Sequence, residues 1–248
     1  MASKTSWLSI MVNPSHHTIW DTVLVPQGAE YQAVKKGLTQ AHADLKVLPI
    51  PVGFSAVKHA LETGKIAEQW QRRSPQGIIV LGLAGSLSPT LTKGQTVLYR
   101  SIQVIGETSL RILSCPPETL THFSQYLGQG VVLVNALTSD RVITQASEKL
   151  FLGEKYQAQV VDMESIALLE YAHQHPMPLV ILRVISDDVD QSLPDLSQIY
   201  DPQGNLQNGA LAKALLSQPR RGWHLVTSSL FALKQLEDLA RAIGKIIP

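Results

Sequence analysis

The run from Gln159 to Asp187, QVVDMESIALLEYAHQHPMPLVILRVISD, reads as strand, helix, strand. Gln159-Val160-Val161 and Leu179 to Ile185 are continuous apolar runs, the pattern of strands covered on both faces. Between them, from Glu164 to His173, apolar residues return at three- and four-residue spacing and give a helix one apolar stripe. Acids follow both runs: Asp162 and Glu164 after the first, and Asp187, Asp188 and Asp190 after the second. In sheets of this kind, ligands sit beyond the carboxyl ends of the strands, so these acids are candidates for a site.

The same alternation extends outward. Further apolar runs predict strands over 22–25, 46–52, 77–83, 96–104 and 130–134, and helical spacing predicts helices over 29–38, 55–71 and 211–217. The expected fold class is α/β, three-layer α/β/α, with a largely parallel mixed central sheet. The long run from Thr96 to Val104 is expected to bend that sheet toward a partial barrel. Gly222 to Ile247 reads as one long helix or two, with Leu225, Leu230, Leu233, Leu236, Leu239, Ala240 and Ile243 on or near one face. At 248 residues a single domain over 1–248 is expected, with a helical extension over about 205–248.

Formal net charge is +1, so no bulk field exists to hold nucleic acid or an acidic membrane surface, and a small-molecule ligand fits better. Cys115 is the one cysteine, which excludes an internal disulfide and fits a reducing, cytoplasmic setting; it reads as a small buried hydrophobe, with a reactive thiol as the alternative. The apolar stretch Trp7 to Val12 is too short for a membrane span and ends at Asn13-Pro14, so neither a transmembrane segment nor a signal peptide is expected. His16 and His17 read as loop residues, because no third ligand follows at metal-site spacing.

Two more strand ends carry candidates. In Val25-Pro26-Gln27-Gly28-Ala29-Glu30, Glu30 falls in a first helical turn, either as a carboxylate favoured by the helix dipole or as a group facing a ligand. Gly82-Leu83-Ala84-Gly85-Ser86-Leu87 lets backbone approach a ligand or a neighbouring segment closely, and it lacks the spacing of a nucleotide diphosphate loop. Asp162 reads as a helix cap with Glu164 an ordinary first-turn acid, and the functional alternative needs Glu164 to face the ligand. The acids from Asp187 to Asp190 admit a solvated loop, a magnesium site or a catalytic acid. No metal is expected, because no phosphate-cradling loop accompanies them.

Taken in order, these pieces resemble the nucleoside phosphorylase and nucleosidase superfamily, above all its methylthioadenosine and adenosylhomocysteine nucleosidase branch. The resemblance rests on Val161-Asp162-Met163-Glu164-Ser165 and Arg183-Val184-Ile185-Ser186-Asp187, joined by the Gly82 to Leu87 turn and by Thr138-Ser139-Asp140-Arg141. It implies cleavage of a purine nucleoside at its N-glycosidic bond without a cofactor, phosphate being co-substrate if the enzyme is a phosphorylase. By resemblance, Met163 packs beneath the ribose, Glu164 accepts its hydroxyls, and Asp187, beside Ser186, meets purine N7. Glu30 matches the acid that orients or deprotonates the attacking water, while Gly82, Leu83, Ala84 and Val142 fall at substrate-binding positions. An ordinary aspartate, with a pKa of about 3.9, is ionised at neutral pH. An acid role for Asp187 therefore requires burial or a like charge such as Asp188 close by. A homo-oligomer, a dimer, is expected on resemblance alone.

Departures from the pattern qualify this reading. Leu83 stands where the family carries Ser or Thr, and no paired-arginine phosphate site is evident near the first strand; both favour water over phosphate as nucleophile. Arg141 and Arg183 keep phosphorolysis open, since an arginine grips an oxyanion with two donors. Val142 replaces an aromatic ring against the base, leaving that stacking to another residue such as Tyr156. From Tyr200 onward the chain is similar to hopanoid-associated phosphorylases, which act on an adenosyl lipid; the resemblance implies a bulky apolar 5′ substituent, with the apolar helices either core or dimer surface or lipid-facing. The competing classes are a nucleoside-binding protein without turnover, suggested by Leu83 and Val142, and a structural partner docking through its last helix.

Overall fold

Continuous apolar runs become strands that pair on both sides. The structure, a computed structural model, describes residues 19–72, 74–104, 112–175 and 177–247; the stretch from Trp7 to Val12 and the pair His16 and His17 lie outside them. Among the described residues one sheet contains β1 (Thr22–Pro26), β2 (Lys46–Ile50), β3 (Ile78–Ser86), β4 (Thr96–Val104), β5 (Ile112–Ser114), β6 (Val131–Thr138), β7 (Val160–Asp162) and β8 (Leu179–Asp187). Parallel pairs join β1 to β2 and β3, β3 to β8, and β6 to β4 and β7, while β3 with β7, β4 with β5 and β4 with β8 run antiparallel. The sheet is thus mixed and mostly parallel, as expected.

The expected bending goes to completion. β8 pairs with β3 on one side and β4 on the other, so β3, β7, β6, β4 and β8 form a closed circuit. Register shifts at Ala84/Gly85 in β3 and at Tyr99/Ser101 in β4 supply the irregularities that turn strands through a corner. Helices cover the outside: α1 (Ala29–Gln40), α2 (Phe54–Glu62), α3 (Lys65–Arg72), α4 (Pro117–Leu127), α5 (Ala146–Tyr156), α6 (Ser165–Gln174), α7 (Asn208–Ser217) and α8 (Pro219–Ile246).

The last segment is one helix, α8, of 28 residues. Its second half buries Leu236, Leu239, Ala240 and Ile243 against α1 and the sheet. Gly37 makes this crossing close, because a Cβ there would lie 2.2 Å from the Glu237 carbonyl oxygen. An ionic cluster borders the contact, with the Glu237 carboxylate 2.9 Å from Lys36 Nζ, 3.1 Å from Lys234 Nζ and 3.3 Å from Arg241 Nη2. The first half of α8 leaves the core and faces the cavity described below.

Three local expectations change. The helix expected over 55–71 is two, α2 and α3, broken at Thr63-Gly64: Thr63 Oγ1 donates to the His59 carbonyl at 3.1 Å, and glycine follows with its low helix propensity. Strand β5 and helices α4 and α5 were not expected. Cys115 is buried, and burial pushes its thiol up to about 12, in keeping with a packing role. No described helix is long and apolar enough to cross a membrane.

Candidate active site

At the carboxyl ends of β1, β3 and β8 the chain passes from apolar to polar within one or two residues, and the ends of these strands surround one cavity of about 660 Å³. Glu30, Leu83, Ala84, Val142, Met163, Glu164, Ser186 and Asp187 all line it. Gly82 stands one residue behind the wall. Its missing side chain leaves room for two others: a Cβ would lie 2.0 Å from Arg183 Nη1 and 2.7 Å from Glu30 Oε2.

Glu30 enters from the first turn of α1, after Gly28. Its Oε2 accepts the Leu83 N–H at 2.7 Å, so the residue whose side chain departs from the family pattern still contributes its backbone. Burial raises this carboxyl to about 7; Arg183 opposes the rise and Glu164 adds to it. Glu164 stands at the N-cap of α6, with Oε1 accepting the Gly53 N–H at 3.0 Å. Burial raises it too, to about 7, with Arg183 opposing and Asp162 contributing. The pair therefore supplies carboxyl groups poised between charged and neutral near pH 7.

Asp162 lines the cavity too and holds the first turn of α6 from outside the helix. Its Oδ1 accepts the Ser165 N–H at 3.3 Å and the Thr138 hydroxyl at 2.9 Å, and its Oδ2 contacts the Ser165 hydroxyl. Behind it the Arg183 guanidinium is fully buried, 3.3 Å from Asp162 Oδ2 and 3.6 Å from Glu164 Oε2, and it donates to Ser165 Oγ at 2.9 Å. Burial opposes the charge on Arg183, but Asp162, Tyr99, Glu164 and Glu30 outweigh it and hold the arginine protonated. The second arginine, Arg141, lines the cavity and is paired with Glu148 at 2.5 Å. Both arginines left open for an oxyanion thus already have carboxylate partners.

Asp187 lies at the end of β8, buried, with Oδ1 accepting the Ser186 hydroxyl. The expected neighbour, Asp188, turns away: its Oδ1 accepts the Lys93 N–H at 2.6 Å. Asp187 Oδ2 instead meets the ammonium of Lys149, a fully buried side chain on α5. Lys149 Nζ also donates to the carbonyls of Asp188 at 3.0 Å and Gln191 at 2.8 Å, so all three of its donors are used. Sequence reading missed Lys149, one of two lysines in a helix that was itself unexpected.

Tyr200 is a second missed residue. It lines the cavity, and burial followed by the charges of Glu30 and Glu164 keeps its phenol protonated. Tyr156, offered as the aromatic partner of a base, is not in the wall; it packs with Leu87, Ile143 and Leu152 in a separate cluster. Much of the remaining wall is apolar, formed by Leu193 and Leu196, by Leu211 and Leu215 of α7, and by Leu225, Leu230 and Leu233 of α8. Among the described residues no group of histidine, cysteine and acidic side chains is arranged to hold a metal.

Comparison with known proteins bears on this arrangement. A family model described as the phosphorylase superfamily matches residues 52–216. Among solved structures, a 5′-methylthioadenosine/S-adenosylhomocysteine nucleosidase of Helicobacter pylori is similar at 14% identity with a TM-score of 0.60, over 90% of this chain and 98% of its own. Futalosine hydrolase of the same organism is similar at 14% and 0.59, over 91% and 100%. A putative nucleosidase of the first kind from Francisella philomiragia is similar at 15% and 0.56, over 84% and 96%. At such identity these likenesses speak for the fold.

Proposed function

The chain belongs to the phosphorylase superfamily, and from that premise we propose that it cleaves the N-glycosidic bond of a purine nucleoside, an adenosine derivative, with water as nucleophile. The observation that carries this reading is the meeting of Glu30, Glu164 and Asp187, distant in sequence, on one cavity wall. Breaking a glycosidic bond through an oxocarbenium-like transition state needs an acid on the departing group and a base with its water elsewhere. Purine N7 is an acceptor, so Asp187 serves it in the protonated form, and the Lys149 ammonium against its Oδ2 is the group that returns a proton to it. Glu164 accepts the ribose hydroxyls, with Met163 beneath the sugar, and steadies the positive charge that develops there. Glu30, half ionised near pH 7, orients or deprotonates the water. Two features favour water over phosphate: Leu83 has no hydroxyl for a phosphate contact, and both nearby arginines are occupied by carboxylates. The apolar wall of α7 and α8 suits a substrate with an apolar 5′ group larger than a hydroxyl.

Incubation with adenosine, inosine, methylthioadenosine and a 5′-alkylthioadenosine of longer chain, with and without phosphate, tests the reading by chromatography of the released base. Free adenine without phosphate is expected, fastest from the 5′-alkylated substrates, with Asp187→Asn slower by about 10²- to 10⁴-fold. Ribose 1-phosphate among the products would make the enzyme a phosphorylase. Binding without release of base, equal in wild type and Asp187→Asn, would make it a nucleoside-binding protein.

A further inference from the structure

Net charge describes a sum and hides its distribution. Between Asp201 and Glu237 the chain has no carboxylate side chain, yet it contains Lys213, Arg220, Arg221 and Lys234. This window comprises α7, the short turn after it and the first half of α8. Lys234 is engaged by Glu237 and Asp238, whereas Lys213, Arg220 and Arg221 stand exposed.

The same window exposes large apolar side chains: Leu216 is 82% exposed, Trp223 70% and Leu230 63%. On α8, Trp223, Val226, Leu230 and Leu233 follow at intervals of three and four and so share one face. Val226, Leu230 and Leu233 line the cavity, and Trp223 continues their stripe beyond it. On α7, Leu215 lines the cavity and the next residue, Leu216, faces solvent. The apolar lining is therefore continuous with an apolar outer surface flanked by basic residues. Contiguous apolar surface of this kind marks an interaction site, and a Trp- and Leu-bearing helix with basic flanks suits the boundary between headgroups and acyl chains.

Charge selects the occupant. A two-fold contact between copies of this face would bring two sets of Lys213, Arg220 and Arg221 into one interface, with no carboxylate in the window to offset them. Lipid phosphates supply the missing negative charge. We infer that the α7–α8 face docks on the surface of an anionic bilayer, with Leu216 and Trp223 at the acyl boundary and Lys213, Arg220 and Arg221 among the phosphates. The apolar end of the cavity then opens toward the hydrocarbon. The inference concerns this surface and holds whichever nucleoside is cleaved.

Flotation of the full chain with vesicles of phosphatidylcholine and phosphatidylglycerol, against vesicles of phosphatidylcholine alone, provides the test. Flotation with the anionic vesicles is expected, weaker with the neutral ones and reduced by salt. Arg220→Glu/Arg221→Glu should lower partitioning at least about 30-fold, at about fivefold for each basic residue lost. Leu216→Ser/Trp223→Ser should abolish it while leaving the melting temperature unchanged, since both side chains are exposed. Absence of flotation with either vesicle, or equal flotation of wild type and both variants, would overturn the inference. A dimer in sedimentation equilibrium that Leu216→Ser/Trp223→Ser dissociates would overturn it as well, by assigning the face to a second copy.

Discussion

Glu30 is held near half ionisation because burial outweighs the Arg183 charge beside it. In its role as base only the ionised form works, and that form declines as pH falls below about 7. Glu164, raised to about 7 as well, must also be ionised to steady the sugar, so the logarithm of kcat/KM should drop by up to two per pH unit on the acid side, and Glu30→Gln should reduce that slope to one and lose most of the rate, measured by initial rates across pH. Lys149 admits a different test. Lys149→Met leaves the Asp187 carboxylate buried without its partner, a change that costs about 3–5 kcal/mol. Lys149→Met/Asp187→Asn should recover much of that stability in urea unfolding but none of the turnover, which separates the contribution to folding from the contribution to the reaction. Glu30, Glu164 and Asp187 were legible in the sequence because each lies within a few residues of the end of an apolar run, where a strand must end, and falls in a motif that resembles the family's. Lys149 and Tyr200 were not, because they come from a helix and a loop that reach the cavity only through tertiary packing.

Helices α1 and α8 cross closely at Gly37, so Gly37→Ala sets two effects against each other. Alanine improves helix propensity by about 1 kcal/mol. Its Cβ, however, meets the Glu237 carbonyl oxygen, a backbone atom that cannot swing aside as a side chain can. Overpacking of this kind costs about 1–3 kcal/mol. A net loss is expected, seen as a melting point lower by a few degrees in calorimetry. Where one stripe of an element is apolar, as in α1 and α6, sequence periodicity found it. It failed for α5, which buries Lys149 and Leu152 while exposing Leu150 and Phe151, and so reverses the usual signal. It also ran through the α2–α3 junction, because Thr63 and Gly64 interrupt the backbone without interrupting the apolar spacing.

At the scale of the molecule, strand existence was legible and strand partnership was not. Nothing in the run from Leu179 to Asp187 states that β8 pairs with both β3 and β4, since those pairings join segments about a hundred residues apart. The closed circuit has a consequence for how this chain meets other chains. β3 and β8 have both flanks occupied, and among the described residues β2 and β5 border the sheet. β5 is three residues long. In β2 the Lys46 N–H donates inward to the Asp21 carbonyl at 2.9 Å, so by alternation position 49 points outward, and there Pro49 has no hydrogen to offer. A foreign strand seeking backbone partners along β2 meets a proline, which restrains amyloid-like growth at that border in a protein that displays a tryptophan and leucines to solvent.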